Sequence, residues 1–236
     1  MAVAVAKYPG FQTKRESKAT LEHSASTAAS LAVKEETRAP VSVLTIFDWD
    51  DTLMPSTYLQ SNGFTLKSDK ALSTEEEKIL GLLEKSVVKF LTLALKHGDR
   101  VCIITSAQEG WVELSAKKFY PSVAPLLKHV TVISARSTYE ERFPNSPLHW
   151  KYEAFRHSAT KCFADNLEPK SIISFGDSMI ERHCVRAVSK LFENSLAKSV
   201  KFAERPSLEQ LRSQVDLALE CFPDIITHKD HLDLAA

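Results

Sequence analysis

The chain has 236 residues, with 30 acidic and 30 basic side chains, and 44% of its residues are hydrophobic. Because these charges balance, no overall field attracts nucleic acid or an anionic membrane, and we expect neither as a partner. The hydrophobic content is enough for one domain with a buried core, and no run of about 18 apolar residues indicates a membrane helix.

The four cysteines show neither a CxxC pair nor the spacing of a zinc site, and a chain of this size does not need disulfide bonds. We therefore expect a reducing, cytoplasmic location. Residues 1–40 are rich in Ala, Ser, Thr, Lys and Glu without apolar periodicity, and they are predicted to form a disordered tail. Organelle targeting by this segment is the alternative, although its four glutamates weaken it.

Strand and helix patterns alternate after this segment. Short apolar runs predict five strands, which are Val41–Phe47, Arg100–Thr105, Val130–Ser134, Ser171–Phe175 and Val200–Ala203. Amphipathic stretches predict helices that cover 73–97, 110–120, 148–163, 179–190 and 207–222. Such alternation favours an α/β fold, with a doubly wound, Rossmann-like parallel sheet and helices on both faces. We assign residues 41–225 to this domain and residues 226–236 to a C-terminal tail.

Acidic residues follow two of the predicted strands. Asp48, Asp50 and Asp51 come directly after the first strand, and Asp177 follows the fourth, with Glu181 one helical turn further on. The carboxyl ends of parallel strands lie at one edge of a sheet, so these side chains are expected to converge. Clustered carboxylates repel one another unless a cation neutralises them, and hard oxygen ligands suit Mg²⁺ better than zinc.

Hydroxyl and ammonium groups are predicted at the same edge. Thr105 and Ser106 lie at the tip of the second strand, where a hydroxyl and backbone amides could hold phosphate oxygens. Lys151 opens the helix before the fourth strand and would supply a positive charge there. This order of nucleophile, hydroxyl, cation and metal site is what phosphoryl transfer through a covalent aspartate requires.

These residues resemble the four motifs of the haloacid dehalogenase superfamily over roughly residues 41–205. The run from Asp48 to Leu53 matches D-x-D-x-T/V-L, Thr105 the second motif, Lys151 the third, and Gly176-Asp177 with Glu181 the fourth, GD-x-x-x-D/E. Motifs in this order on the expected elements are much more specific than the first motif alone.

The resemblance implies a Mg²⁺-dependent phosphomonoester phosphatase. In that family pattern Asp48 attacks phosphorus, and Asp50 protonates the leaving oxygen and then activates water. Mg²⁺ is held by the Asp48 carboxylate, the Asp50 backbone carbonyl and Asp177, with Glu181 assisting directly or through water.

Two choices stay open within this pattern, the phosphate-binding hydroxyl and the lysine of the third motif. Lys161 and Lys170 compete with Lys151 for that motif, but both suit a helix surface or a loop better. Ser106 stands where many members have Asn or Gly, so either Thr105 or Ser106 makes the phosphate contact. The intervals 54–96 and 135–149 are short for a cap insertion, and we expect a minimal, capless member. An open site of this kind favours a bulky phosphorylated substrate, such as a phosphoprotein, over a small metabolite; the alternative is that a partner subunit caps the site.

The alternative function is a non-catalytic phosphate-binding or interaction protein on the same scaffold. A phospho-receiver switch also uses an acidic cluster, a hydroxyl and a lysine, but its phosphorylated aspartate normally follows a later strand. Intact Asp48 and Asp50 on the first strand favour the hydrolase over both.

Overall fold

The computed structural model describes residues 12–13, 41–164 and 168–236. Their strands form one β-sheet. The disordered tail predicted for residues 1–40 therefore lies outside the described residues, apart from 12–13. The strands are β1 (Gln12–Thr13), β2 (Ser42–Phe47), β3 (Arg100–Thr105), β4 (Thr131–Ser134), β5 (Lys170–Gly176), β6 (Ser195–Lys201) and β7 (Leu232–Ala235). The helices are α1 (Ser56–Ser61), α2 (Thr74–His97), α3 (Trp111–Phe119), α4 (Ala135–Tyr139), α5 (Pro147–Phe163), α6 (Met179–Ser189) and α7 (Leu208–Thr227), with a 3₁₀ turn at Ala124–His129.

The strand order is β1-β7-β6-β5-β2-β3-β4, and strands β2 to β7 run parallel while β1 is antiparallel to β7. From β2 the chain builds the sheet outward through β3 and β4. It then returns to the other side of β2 and continues through β5, β6 and β7. The connections therefore diverge between β2 and β5, and such a switch point leaves a crevice at the carboxyl ends of the strands.

Both faces of the sheet are buried beneath helices. In β2 the side chains alternate, since Val43 and Phe47 belong to one core cluster while Leu44 and Ile46 belong to the other. The first cluster includes buried residues of α2, α3 and α7, and the second includes those of α4, α5 and α6. The predicted α/β architecture, with a Rossmann-like parallel sheet covered on both faces, is confirmed.

The parallel part of the sheet has six strands rather than the predicted five. The sixth, β7, lies within residues 226–236, which the sequence analysis assigned to a tail. β7 pairs with β6, and its Asp233 carboxylate accepts a hydrogen bond from Arg186 at 2.8 Å and another from Arg182. A strand of four residues is too short to show a clear apolar pattern in the sequence. Its position depends on the partner strand, which supplies its hydrogen bonds.

The strand predicted at Val200–Ala203 begins earlier, at Ser195. A lysine in its middle hides the strand pattern. Lys198 is only 1% exposed, and its ammonium group donates to the carbonyls of Ile225 (2.7 Å) and Ile226 (2.8 Å) in the last turn of α7. A cation at a helix C-terminus is stabilised by the helix dipole, which makes this buried position tolerable.

The predicted start of the long helix is confirmed. Ser73 caps α2: its hydroxyl accepts from the Glu76 amide at 3.3 Å, and the Glu76 carboxylate accepts from the Ser73 amide at 2.8 Å. The interval between β2 and α2 contains the short helix α1 and a loop. The interval from β4 to α5 contains only α4 and a loop, so neither holds an inserted domain.

Every helix in the described parts of the chain is too short or too polar to cross a lipid bilayer.

Replacing Phe90 with alanine should lower the free energy of unfolding by about 3–5 kcal/mol, because a large buried ring is lost. Phe90 on α2 packs edge-to-face on Phe47, Phe175 and Phe222, with ring centroids 4.9, 4.9 and 5.3 Å away. Urea unfolding measures the effect. Leu114→Ala is the control, since Leu114 is 55% exposed and its truncation should change stability by less than about 0.5 kcal/mol. Equal losses in both variants would contradict this packing.

Candidate functional site

Asp48 lies at the switch point, as the first residue after β2. Its amide donates to the carbonyl of Phe175 on β5 at 2.8 Å, so the end of β2 is tied to the end of β5. Pairing of Phe47 with Phe175 then brings the residues that follow each strand, Asp48 and Asp177, side by side. Asp48 is 5% exposed, so its carboxylate lies largely out of contact with solvent.

Three carboxylates meet at this point. One oxygen each from Asp48, Asp177 and Glu181 lies within 4.8 Å of the others. Lys151, at the start of α5, forms an ion pair with Asp48 at 2.9 Å and a second one with Glu181. Lys151 and Glu181 are each 3% exposed. When all three carboxylates are ionised, one lysine leaves the cluster with excess negative charge.

The ionisation of the cluster reflects this excess. Burial raises the pKa of Asp48 well above its usual value, and neighbouring carboxylates add to the effect while Lys151 opposes it. Burial and the charge of Glu181 raise the pKa of Asp177 to about 6. Burial also acts to raise the pKa of Glu181, but the ion pair and hydrogen bond with Lys151 outweigh it and lower this pKa. Burial acts to lower the pKa of Lys151, yet Asp48 and Glu181 raise it overall.

This donor set has the chemistry of a site for a small divalent cation. The three carboxylates offer hard oxygen ligands, and burial together with the charges of neighbouring carboxylates raises the pKa of Asp48 and of Asp177. Mg²⁺ is usually held by one or two carboxylates with several waters, and Ca²⁺ by more oxygen ligands. The residues present therefore fit a hard cation better than a soft one.

Glu181 is held in place from two sides. Its second oxygen accepts from the Ser178 hydroxyl at 2.5 Å and the Ser178 amide at 3.2 Å, which completes a capping box at the start of α6. A Cβ on Gly176 would lie only 2.4 Å from the Glu181 Cγ atom. Gly176 is therefore needed because the Glu181 side chain passes directly over the end of β5.

The Asp50 carboxylate is not one of the three clustered groups. Its Oδ1 atom accepts from the Ser56 hydroxyl at 2.6 Å and from the Trp111 indole at 2.8 Å. Its Oδ2 atom accepts from the Thr105 hydroxyl at 2.9 Å. Asp48 and Asp50 are two residues apart in the chain, yet one belongs to a charged cluster and the other is surrounded by neutral donors.

The structure separates the candidate hydroxyls and lysines. The Thr105 hydroxyl donates to Asp50 and accepts from the Ala107 amide at 2.9 Å, whereas Ser106 lines a pocket beside Asp50. Lys161 is exposed on α5, and Lys170 begins β5, with its ammonium donating to the Glu168 carbonyl at 3.0 Å. Lys151 is the lysine that the fold brings to the carboxylates.

Sequence reasoning missed two contacts to Asp50 and the role of Asp51. Trp111 lies at the start of the helix after β3, and this place puts its indole at the edge of the site. Ser56 begins α1, which was not among the predicted helices. Asp51, with a φ of 54°, accepts from the Thr57 amide at 2.9 Å and so fastens α1 beside Asp50.

Comparisons with protein-family models, with curated proteins and with solved structures found no match. The inference of function therefore depends on the arrangement of these side chains.

Replacing Asp177 with asparagine should raise the free energy of unfolding of metal-free protein by about 1 kcal/mol near pH 7, because an unfavourable half-buried charge is removed. The pKa of Asp177 is raised from 3.8 to about 6, so its ionisation destabilises the fold as the pH rises through this window. The gain should vanish below about pH 3, where the carboxyl group is protonated in both the folded and the unfolded state.

Urea unfolding in a chelator and in Mg²⁺ measures both effects of Asp177→Asn. Mg²⁺ should stabilise the wild type, by about 2.7 kcal/mol at a hundredfold excess over Kd, and the variant much less. Asp230→Asn is the control, because Asp230 is exposed between α7 and β7. A destabilised Asp177→Asn protein in chelator would contradict the charge excess.

Replacing Gly176 with alanine should destabilise the protein by about 1–3 kcal/mol, because the added methyl group displaces Glu181 from Lys151. Gly81→Ala is a matched control: Gly81 lies inside α2, and an added Cβ there would meet nothing within 4 Å. This second change should stabilise the helix by about 0.5–1 kcal/mol. Thermal or urea unfolding compares the two, and similar shifts for both would argue against the close approach.

Proposed function

We propose that this chain is a Mg²⁺-dependent phosphomonoester phosphatase that forms a phospho-aspartate on Asp48. The observation that carries the proposal is the convergence of Asp48, Asp177, Glu181 and Lys151 at the sheet crevice, with Asp50 oriented separately beside it. The motif resemblance to the haloacid dehalogenase superfamily points to the same chemistry. If these carboxylates served only to cap α6 or to form a structural ion pair, the site would not need more negative charge than its one lysine neutralises.

Asp48 is the nucleophile in this proposal. Lys151 lies 2.9 Å from the Asp48 carboxylate and can attract the negatively charged phosphoryl group to it. A carboxylate oxygen of Asp48 forms a bond to phosphorus while the bond from phosphorus to the leaving oxygen breaks, and the electron pair departs with that oxygen. Burial restricts water around the attacking carboxylate.

Asp50 transfers protons in both halves of the reaction. It protonates the leaving oxygen, and it then takes a proton from the water that attacks the phospho-aspartate, which releases phosphate and restores Asp48. The hydrogen bonds from Ser56, Trp111 and Thr105 orient its carboxyl group for this transfer. Because the Thr105 hydroxyl already donates a hydrogen bond to Asp50, Ser106 is the better candidate for the phosphate contact.

The carboxylates of Asp48, Asp177 and Glu181 would hold the metal ion, together with the Asp50 backbone carbonyl. Bound Mg²⁺ would supply positive charge that offsets the phosphoryl oxygens and the clustered carboxylates. Glu181 also keeps Lys151 in position through their ion pair. The chain's own charges thus separate into a metal-binding set and a phosphate-attracting lysine.

The surroundings of the site favour a substrate larger than a small metabolite. The intervals after β2 and β4 contain α1, α2, α4 and loops, and within the described residues neither interval holds an inserted domain that could close over the crevice. A phosphorylated protein could reach such an open edge. Free cysteines, three of which are buried, are compatible with a cytoplasmic location.

Replacing Asp48 with asparagine should lower the rate of hydrolysis of a generic aryl phosphate in Mg²⁺ on the order of a thousandfold or more, because the nucleophile is lost. A chelator should abolish the wild-type activity, and added Mg²⁺ should restore it. Steady-state release of the phenol measures both. Asp230→Asn should retain full activity as the matched carboxylate change.

Acid quenching followed by mass spectrometry should find one phosphoryl group on the peptide that contains Asp48. Equal activity of wild type and Asp48→Asn would rule out this mechanism. Binding of a phosphate mimic without hydrolysis across a panel of phosphomonoesters would instead favour a non-catalytic phosphate-binding protein.

A further inference from the structure

A pocket of about 640 Å³ lies between the segment after β2 and the start of α3. Its volume falls within the range of about 300–1,000 Å³ that is usual for ligand sites. Most of its wall is apolar, and the apolar side chains that line it are Met54, Leu59, Phe64, Leu66, Trp111 and Phe119. Gln60, Thr65 and Lys67 also line it, and all three are exposed to solvent. The pocket therefore has an apolar wall with polar groups in contact with water.

Asp50 connects this pocket to the carboxylate cluster. Asp50 lines the pocket, whereas Asp48, Asp177, Glu181 and Lys151 do not. If Asp50 protonates the leaving oxygen while Asp48 attacks phosphorus, the leaving group must lie on the Asp50 side of the phosphoryl group. The pocket is on that side.

We infer that this pocket holds the leaving group of the substrate, and that the chain prefers phosphomonoesters whose leaving group is aromatic. The inference rests on the proposed phosphatase function and adds the class of substrate to it. A free aryl phosphate and a phosphotyrosine side chain share this chemistry.

The walls of the pocket match an aromatic ring better than a polyol. Phe64, Trp111 and Phe119 place three aromatic rings in the wall, and aromatic rings pack favourably with another ring. Beside the leaving oxygen the Ser56 hydroxyl is already paired, since it donates to Asp50 at 2.6 Å. The hydroxyl groups of a sugar would lose their water there without gaining enough partners, which is unfavourable.

Trp111 links occupation of the pocket to the position of Asp50. Its ring lines the pocket, and its indole N–H donates to Asp50 at 2.8 Å. A ring bound in the pocket would contact the same side chain that orients the proton donor. Trp111 is half-buried, while Trp49 and Trp150 are 0% and 5% exposed, so a ligand in the pocket should quench mainly Trp111.

The first test compares substrates. The wild type with Mg²⁺ should hydrolyse 1-naphthyl phosphate and a phosphotyrosine peptide with kcat/KM at least about tenfold above glycerol 3-phosphate and a phosphoserine peptide, which is the usual effect of filling an apolar pocket. The ratio of kcat/KM between the two aromatic substrates tells whether the preferred aromatic leaving group belongs to a free aryl phosphate or to a phosphotyrosine peptide. Equal kcat/KM for aromatic and aliphatic substrates overturns the inference.

The second test changes the pocket wall. Leu66→Glu places a charge at a half-buried position of the wall, and Leu114→Glu makes the same change at an exposed position of α3 outside it. Leu66→Glu should lower kcat/KM for 1-naphthyl phosphate by about tenfold and that for glycerol 3-phosphate much less, while Leu114→Glu changes neither. Equal effects of the two variants on 1-naphthyl phosphate contradict the assignment.

A binding measurement separates the failure of this inference from the failure of the proposed function. 4-Nitrophenol, which needs no phosphoryl chemistry, should quench the fluorescence of Trp111 in wild type and Leu114→Glu, and less in Leu66→Glu. Absence of quenching in a protein that shows Asp48-dependent hydrolysis overturns the pocket assignment alone. Quenching in a protein that hydrolyses no phosphomonoester overturns the phosphatase function, and with it the role of the pocket as a leaving-group site.

Discussion

Parallel pairing of β2 with β5 is the constraint on which the site depends. The register that joins Phe47 to Phe175 places Asp48 and Asp177 at the same crevice, and both strands are buried between helices. Their ends cannot separate without loss of hydrogen bonds and core packing. Buried carboxylates within 4.8 Å repel one another, and the lysine between them offsets only part of this repulsion. The sheet therefore holds together groups that electrostatics alone would drive apart.

Two carboxylates on one short turn acquire different properties from their surroundings. Asp48 lies among charges, where burial and neighbouring carboxylates raise its pKa. Asp50 lies among a hydroxyl pair and an indole. Such a difference in environment is the usual means by which neighbouring acidic groups take separate tasks in catalysis. The positive φ of Asp51 turns the chain towards α1, so that the segment after β2 lies against the Asp50 carboxylate.

Much of the fold could be predicted from the chain, because strands buried on both faces are short apolar runs. The bounds of β2, β3, β4 and β5 differ from their predictions by a single residue or less at each end. The two strands at the other side of the sheet were harder to predict. In β6 a buried lysine interrupts the apolar run, and its cost is offset by carbonyls at the end of a helix far along the chain. β7 is defined by its pairing with the edge of β6.

The sequence by itself determined that acidic groups follow two strands of a parallel sheet, and hence that Asp48 and Asp177 share one edge. It also carried the cap that positions Glu181, since that contact is local to α6. Only the tertiary structure decided the partners of Asp50 on β3 and α3. Thr105 and Trp111 lie 55 and 61 residues away from it along the chain. No local pattern specifies such contacts, because they follow from how strands order in the sheet and how the first turn of α3 packs against it.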